Sequence, residues 1–306
     1  MIKKINCTQA VRLDLLIAGA KLNISRSLAA ELIKNGQVLI NKQKVIKPGY
    51  QCQSGQLISI NLPPAKELKL IPTKGKLDIV FSGNDFLIIN KPPFVPVHPS
   101  FGHQNDTLVN ILLHHYPKLA QTFQPINNIH RPGIVHRLDM NTSGLIVVAK
   151  NQDSLQKLQL DLQKQHWQKK YYALVFNNSQ KDGGVIDKNI VRDPKHRQKY
   201  LATSLNRGKT AKTSYKIIKN FYYKQSLISL VDVQIATGRT HQIRVHLLAE
   251  NMPILGDTVY FNKESAKLTK ELKIPRQLLH AYYLKIDNQA FQIGLPNDFQ
   301  AVVDKL

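Results

Sequence analysis

The stretch Val135-His136-Arg137-Leu138-Asp139-Met140-Asn141-Thr142-Ser143-Gly144-Leu145-Ile146-Val147-Val148-Ala149-Lys150 decides how this 306-residue chain is read. One carboxylate, Asp139, follows a His-Arg-Leu triplet and enters a tight Thr-Ser-Gly context. Leu145–Ala149 is then a continuous apolar run with the pattern of a buried strand. A carboxylate on a loop that feeds straight into such a strand is held rigidly, as a nucleophile must be. The plainer alternative is that Asp139 caps the turn and pairs with Arg137.

The chain carries 43 Lys and Arg against 20 Asp and Glu, a formal net charge of +23. That excess predicts attraction to a polyanion and salt-sensitive association, with nucleic acid as first candidate and an anionic membrane surface as second. No apolar run approaches the ~20 residues of a spanning helix, and no secretory h-region follows the N-terminus. A soluble, cytoplasmic protein without membrane association is expected. Cys7 and Cys52 are the two cysteines, without a Cys-x-x-Cys, so neither a disulfide framework nor a cysteine zinc site is indicated. No metal or cofactor is expected.

The charge is uneven. Residues 1–76 hold thirteen Lys/Arg and three Asp/Glu, which is +10 of the total in a quarter of the length. Val11–Ile17 reads as a short helix and Ser25–Gly36 as a second, with Ser25 as N-cap and Gly36 as the stop. Val38–Asn41 and Gln56–Ile60 read as short strands separated by Lys42, Lys44, Lys47 and Pro48-Gly49. The elements Arg12-Leu13-Asp14, Ser25-Arg26-Ser27 and Gly36-x-Val38-x-x-Asn41 resemble the S4-like RNA-binding domain, which makes Arg12 and Arg26 candidate RNA contacts. An ordinary small domain with a solvated basic face is the alternative. The stretch Leu62–Lys76, with three prolines and four lysines, has a linker composition, and residues 65–76 read as the linker that divides an S4-like α/β domain (residues 1–64) from a larger domain (residues 77–306).

Beyond that boundary, Asp78–Phe81 and Phe86–Lys91 flank Ser82-Gly83-Asn84-Asp85 as a β-hairpin. Thr107–Tyr116 and Ser154–Trp167 read as helices; Tyr172–Phe176, Thr213–Ile218 and Ser226–Ile235 read as strands. Without a steady βαβ alternation, this predicts an α+β domain around a mixed, mostly antiparallel sheet.

Four blocks of that domain carry a family resemblance, in order. They are Asn90-Lys91-Pro92-Pro93 to Val97-His98-Pro99; the Asp139 run; Lys169-Lys170-Tyr171-Tyr172-Ala173-Leu174-Val175; and Thr237-Gly238-Arg239-Thr240-His241-Gln242-Ile243-Arg244-Val245-His246. Together they resemble the pseudouridine synthases of the RluA family, the branch that modifies large-subunit ribosomal RNA. The first block departs from the family, with Phe94-Val95-Pro96 where a small, glycine-containing middle is usual. Arg131–Val135 and the S4-like domain look most like the member that modifies a stem-loop of 23S rRNA. A sister enzyme acting at other rRNA uridines or on tRNA stays open, as does a non-catalytic ribosome-assembly factor.

The resemblance implies catalytic roles for Asp139, Tyr171 and Arg244. Making pseudouridine breaks a C–N glycosidic bond, turns the uracil and rejoins it through carbon, without redox or phosphate chemistry. A carboxylate can act as nucleophile at sugar or base, or take the 2′-proton. A bidentate Arg compensates a buried carboxylate best, and this is the role implied for Arg244. Tyr171 would stack on the uracil while it rotates. The target must leave its helix or loop, and Arg137 would fill the gap or hold the RNA backbone. The duller alternatives are a core Tyr171, an Arg244 on a surface phosphate and an Arg137 in a structural ion pair. Lys91 and Arg239 join the expected RNA contacts. So do Lys195 and Arg197 of the basic stretch Arg192–Lys199, whose alternative is a solvated loop. The implied partner is 23S rRNA or the pre-ribosomal large subunit, bound by a monomer. The absence of HExxH and of His-x-Glu with Cys-x-x-Cys argues against zinc hydrolases and zinc deaminases.

Overall fold

The computed structural model describes residues 2–20, 22, 24, 26–62, 70–100, 102–123, 131–179, 181–196 and 198–306. The chain divides into a small unit built on residues 1–69 and a large unit built on 70–123 and 132–306.

The small unit contains β1 (Ile2–Asn6), β2 (Val11–Arg12), α1 (Leu13–Gly19), α2 (Arg26–Lys34), β3 (Val38–Ile40), β4 (Gln43–Lys44), β5 (Gln51–Cys52) and β6 (Leu57–Asn61). Strands β1-β6-β3-β4 form one sheet. Val38 and Ile40 point inward and Leu39 outward, as a half-buried strand requires. They meet Leu13 and Ile17 of α1 and Ile33 of α2 in a single core with Ile58 and Ile60. The first helix starts two residues later than expected, because Val11 and Arg12 pair with Gln51 and Cys52 as a short ladder. Gly36 follows α2 in the left-handed region, where its missing Cβ costs nothing. The expected cap at Ser25 lies outside the described residues.

The large unit contains β7 (Ile79–Ser82), β8 (Phe86–Lys91), α3 (Leu108–His115), α4 (Leu119–Thr122), β9 (Ser143–Ala149), α5 (Gln152–Gln163), β10 (Gln168–Phe176), β11 (Gly183–Asp187) and β12 (Asn189–Arg192). There follow β13 (Tyr200–Thr203), β14 (Lys212–Tyr223), β15 (Ser226–Ile235), α6 (Gln242–Ala249), α7 (Lys263–Glu271), β16 (Leu279–Ile286), β17 (Gln289–Gln292) and α8 (Asn297–Val303). Among the described residues, a nine-stranded sheet runs β11-β14-β15-β10-β16-β9-β8-β7, with β17 beside β16. Its pairings are antiparallel except β9 with β16, the mixed, mostly antiparallel sheet expected. Leu87–Ile89 and Leu145–Ala149 are buried throughout and lie side by side, Ile88 opposite Val147. Cover on both faces is why these strands are uninterruptedly apolar.

Two expectations change here. Residues 70–76, read as linker, are docked on α3: Thr73 N donates to Asn110 O, Asn110 Nδ2 to Ile71 O, and His115 Nε2 meets Gly75 O. Composition reports chain polarity, not whether a neighbour satisfies the backbone. The helix expected to reach Trp167 ends at Gln163, since Gln165 is left-handed and His166 N turns back to Asp161 O. Trp167 is instead a core residue, edge-on to the His136 ring at 5.7 Å.

Candidate active site

The Asp139 loop sits where β9 enters the sheet. Gly144 has φ +116°, and a Cβ there would lie 2.2 Å from Ala281 O of β16. Only glycine lets the two parallel strands approach this closely, which explains the Ser-Gly step after the carboxylate. Thr142 N donates to Asp139 O and closes the turn at 3.1 Å. Two buried cations then hold the loop by its backbone carbonyls. Lys91 Nζ donates to Met140 O at 3.0 Å and to Pro92 O and Val95 O. Arg276 Nη1 donates to Asn141 O at 3.1 Å, while its Nε and Nη2 grip Asp298 of α8.

Lys91 is therefore corrected from an RNA contact to a clamp. It is 0% exposed, all three donors are spent on carbonyls, and burial pushes its pKa down to about 7. A buried amine with no free donor has nothing left for a phosphate.

Arg244 comes from the first turn of α6, which His241 begins in a left-handed conformation. The preceding turn is fixed by Gln242, whose Oε1 accepts from Thr237 Oγ1 and Arg239 N and whose Nε2 donates to Lys212 O. Arg244 Nη1 donates to Asp139 Oδ2 at 2.9 Å. The expected pair exists, but the bidentate face of the guanidinium is turned elsewhere. Nε and Nη2 donate to Asp257 Oδ2 and Oδ1 at 2.6 and 2.9 Å. Burial disfavours the Arg244 charge, yet the hydrogen bonds and charge of Asp257, then of Asp139, more than offset this and raise its pKa. Asp257 is 0% exposed at its side chain and also accepts from Val259 N and Tyr260 N.

Two further neighbours complete the carboxylate's surroundings. His241 Nε2 stands 4.0 Å from Asp139 Oδ1, and its Nδ1 is hydrogen-bonded to Tyr260 Oη. Burial lowers its pKa against the pull of Asp139, so the imidazole is neutral at physiological pH. The Tyr260 ring lies under the Arg244 guanidinium at 4.9 Å, and Tyr260 Oη accepts from Tyr200 N.

Asp139, Arg244 and Tyr171 line one cavity of about 450 Å³ with Arg137, Lys169 and Arg239. Tyr171 is buried; desolvation, then the Asp139 charge, pushes its phenol above the ordinary range, leaving a neutral aromatic wall. Arg137 is exposed, and Arg239 Nε donates to Thr210 O. Lys195 is exposed and does not line the cavity; Arg197 lies outside the described residues. Arg12 and Arg26 belong to the small unit. Both bond to buried Asp14, whose pKa is pulled to about 2, first by the Arg12 hydrogen bonds, despite burial. Their guanidiniums remain partly exposed, and Arg26 spends one of its five donors on that pair. Asp257, His241, Tyr260, Lys169, Arg276 and Asp298 escaped the reading of the sequence. His241 and Lys169 lie inside motifs already quoted; for the others, no spacing signals a contact made across the fold.

Comparison with known proteins gives a consistent picture. Residues 85–249 match the family model described as RNA pseudouridylate synthase, and residues 11–58 match the S4 domain. An uncharacterized RNA pseudouridine synthase of Aquifex aeolicus is 36% identical over 95% of this chain and 92% of its own. Ribosomal large subunit pseudouridine synthase D of Escherichia coli K12 is 36% identical over 90% of this chain and 82% of its own. Human RNA pseudouridylate synthase domain containing 1 superposes with a TM-score of 0.59 at 25% identity, covering 74% of this chain and 87% of that structure.

Proposed function

Because the chain belongs to the RNA pseudouridylate synthase family and is an isomerase acting on RNA, we propose that it converts specific uridines of 23S rRNA to pseudouridine at Asp139. The observation that carries the site assignment is the Asp139 carboxylate, partly buried in a cavity and hydrogen-bonded to an arginine that a second carboxylate immobilises. The reaction cleaves C1′–N1, turns the uracil and bonds C1′ to C5, with loss of the C5 hydrogen. Asp139 serves as nucleophile or takes the 2′-proton. Arg244 supports its charged form through one N–H, while Asp257 keeps the guanidinium from leaving. Tyr171, neutral and flat, offers the turning base a stacking face. Arg137 at the cavity rim contacts the RNA that the flipped nucleotide vacates. His241, neutral beside Asp139, adds no competing charge.

The substrate reading rests on the E. coli relative, named for the ribosomal large subunit, and on the S4 domain. The small unit carries the electrostatic footing through Arg12 and Arg26, and Arg239 and Lys195 add contacts from the large unit. The test is tritium release from a 23S rRNA transcript labelled at uracil C5, paired with pseudouridine mapping in cells with and without the gene. Release from 23S rRNA and loss of discrete 23S sites without the gene are expected. Modification confined to tRNA, or to no RNA, would refute the substrate assignment.

A further inference from the structure

The catalytic reading leaves one charged group in the cavity unused. Lys169 stands two residues before Tyr171 on β10, and both point to the buried side of that strand. It is 6% exposed and lines the cavity with Asp139 and Tyr171. Its Nζ lies 4.0 Å from where a Cβ on Gly238 would be, on the turn before α6 that also lines the cavity. Among the described residues its ammonium makes no hydrogen bond or ion pair, and it opens into the cavity and is not sealed in the core. Lys91, equally buried, makes three hydrogen bonds. Burial, then the Arg239 charge, pushes the Lys169 pKa down to about 8, so it remains mostly cationic at neutral pH. Carboxylate, aromatic wall and ammonium thus line one and the same cavity.

A largely desolvated ammonium without a protein partner is costly, and a fold that retains one opening into its reaction site places it for something that arrives there. The reaction supplies such a group. When C1′–N1 breaks, the bonding pair stays with the base, and the ring spreads the negative charge over O2 and O4. The electron deficit at C1′ is met by the Asp139 carboxylate or by loss of the 2′-proton to it. C5 later bonds C1′, with any 2′-proton taken by Asp139 returned to C2′, and C5 then gives up its hydrogen as a proton while N1 takes one. We propose that Lys169 donates a hydrogen bond to a carbonyl oxygen of the target uracil and stabilises the base while it carries that charge. No proton moves to or from Lys169 in this step; it is an oxyanion donor. The inference rests on uridine isomerisation as the reaction and is independent of which RNA is modified.

The experiment compares the full-length protein with Lys169→Met, which keeps length and packing, and Lys169→Arg, which keeps a cation. Single-turnover rate, half-saturating protein concentration and salt slope are read on the C5-tritiated 23S rRNA transcript. Domain stability is read from Trp167 fluorescence in urea. The expected result is a plateau rate lower by roughly 100-fold or more in the Met variant, the usual effect of removing an oxyanion donor. Half-saturation and salt slope should not change, the urea midpoint should be equal or higher, and Arg should recover part of the rate. An unchanged plateau rate overturns the proposal. So does a rate loss that tracks a lowered midpoint in both variants, which would mark a packing role. Weaker binding with a salt slope shallower by ~0.7–0.9 overturns it in favour of a phosphate contact. If the Met variant does not fold, Lys169→Gln is read by the same criteria. If the unaltered protein leaves 23S rRNA unmodified, the substrate reading alone is lost, and the comparison is made on tRNA transcripts.

Discussion

Asp257→Asn isolates the arrangement on which the site depends. The Asp257 carboxylate accepts four hydrogen bonds: Oδ1 from Arg244 Nη2, Val259 N and Tyr260 N, and Oδ2 from Arg244 Nε. Asparagine keeps one acceptor oxygen and turns an N–H toward an Arg244 donor, without a charge to balance it. Removing one partner of a buried ion pair costs about 3–5 kcal/mol, and a hydrogen bond to a charged group alone is worth ~1.5–3. Arg244 retains its bond to Asp139, so about 3 kcal/mol is the reasonable size of the loss. Trp167 is the sole tryptophan and sits in the core of the large unit, so its fluorescence reports that unit's unfolding. With a urea slope near ~3 kcal/mol per M, the midpoint should fall by roughly 1 M. Below the transition the folded variant should also turn over about 100-fold more slowly, because a guanidinium that has lost its bidentate partner wanders from the reacting geometry. A Trp167 midpoint within error of the unaltered protein, with full turnover, would refute the clamp.

Asp139→Asn should abolish tritium release while leaving the Trp167 midpoint unchanged or raised, since the site holds two carboxylates for one guanidinium; measurable turnover by the pure variant would count against Asp139. Arg244→Ala should lower turnover strongly and also destabilise, because Asp257 is left buried and unpaired; urea titration and single-turnover assays on one preparation check both. Acid should destabilise the large unit through His136, whose Nε2 accepts from Val147 N at 3.1 Å and whose pKa burial pushes down to about 3. The unfolded chain takes up that proton near pH 6.5 and the folded one only near 3, so stability should drop as pH falls through that window; a flat Trp167 midpoint from pH 7 to 4 would contradict it. Residues 70–306, which keep the docked segment 70–76, should still modify RNA at saturating concentration, with weaker binding and a salt slope flatter by ~0.7–0.9 per lost contact; equal slopes would remove the small unit from RNA binding.

The antiparallel sheet, the starts of α3 and α5 and the loop that carries Asp139 were legible along the chain, because each is written in neighbouring residues. Period-two alternation marks Val38–Ile40 and an unbroken apolar run marks Leu145–Ala149, while the Thr107–Asn110 capping box that starts α3 was seen only in the structure. Charge in the first quarter likewise pointed to a polyanion without help from geometry. What the chain did not disclose is which partner each charged side chain takes. Lys91, Lys169, Arg244 and Arg276 are all buried cations, yet one ties down carbonyls, one faces the cavity, and two are clamped by aspartates 13 and 22 residues further on. The sequence determined that a carboxylate would stand on a rigid loop amid basic residues. The tertiary structure alone decided that Asp257 holds the arginine, that Lys91 serves the loop, and that Lys169 is left to the cavity. Burial and partnering arise only when distant segments meet, and a buried charge is defined by what it meets there.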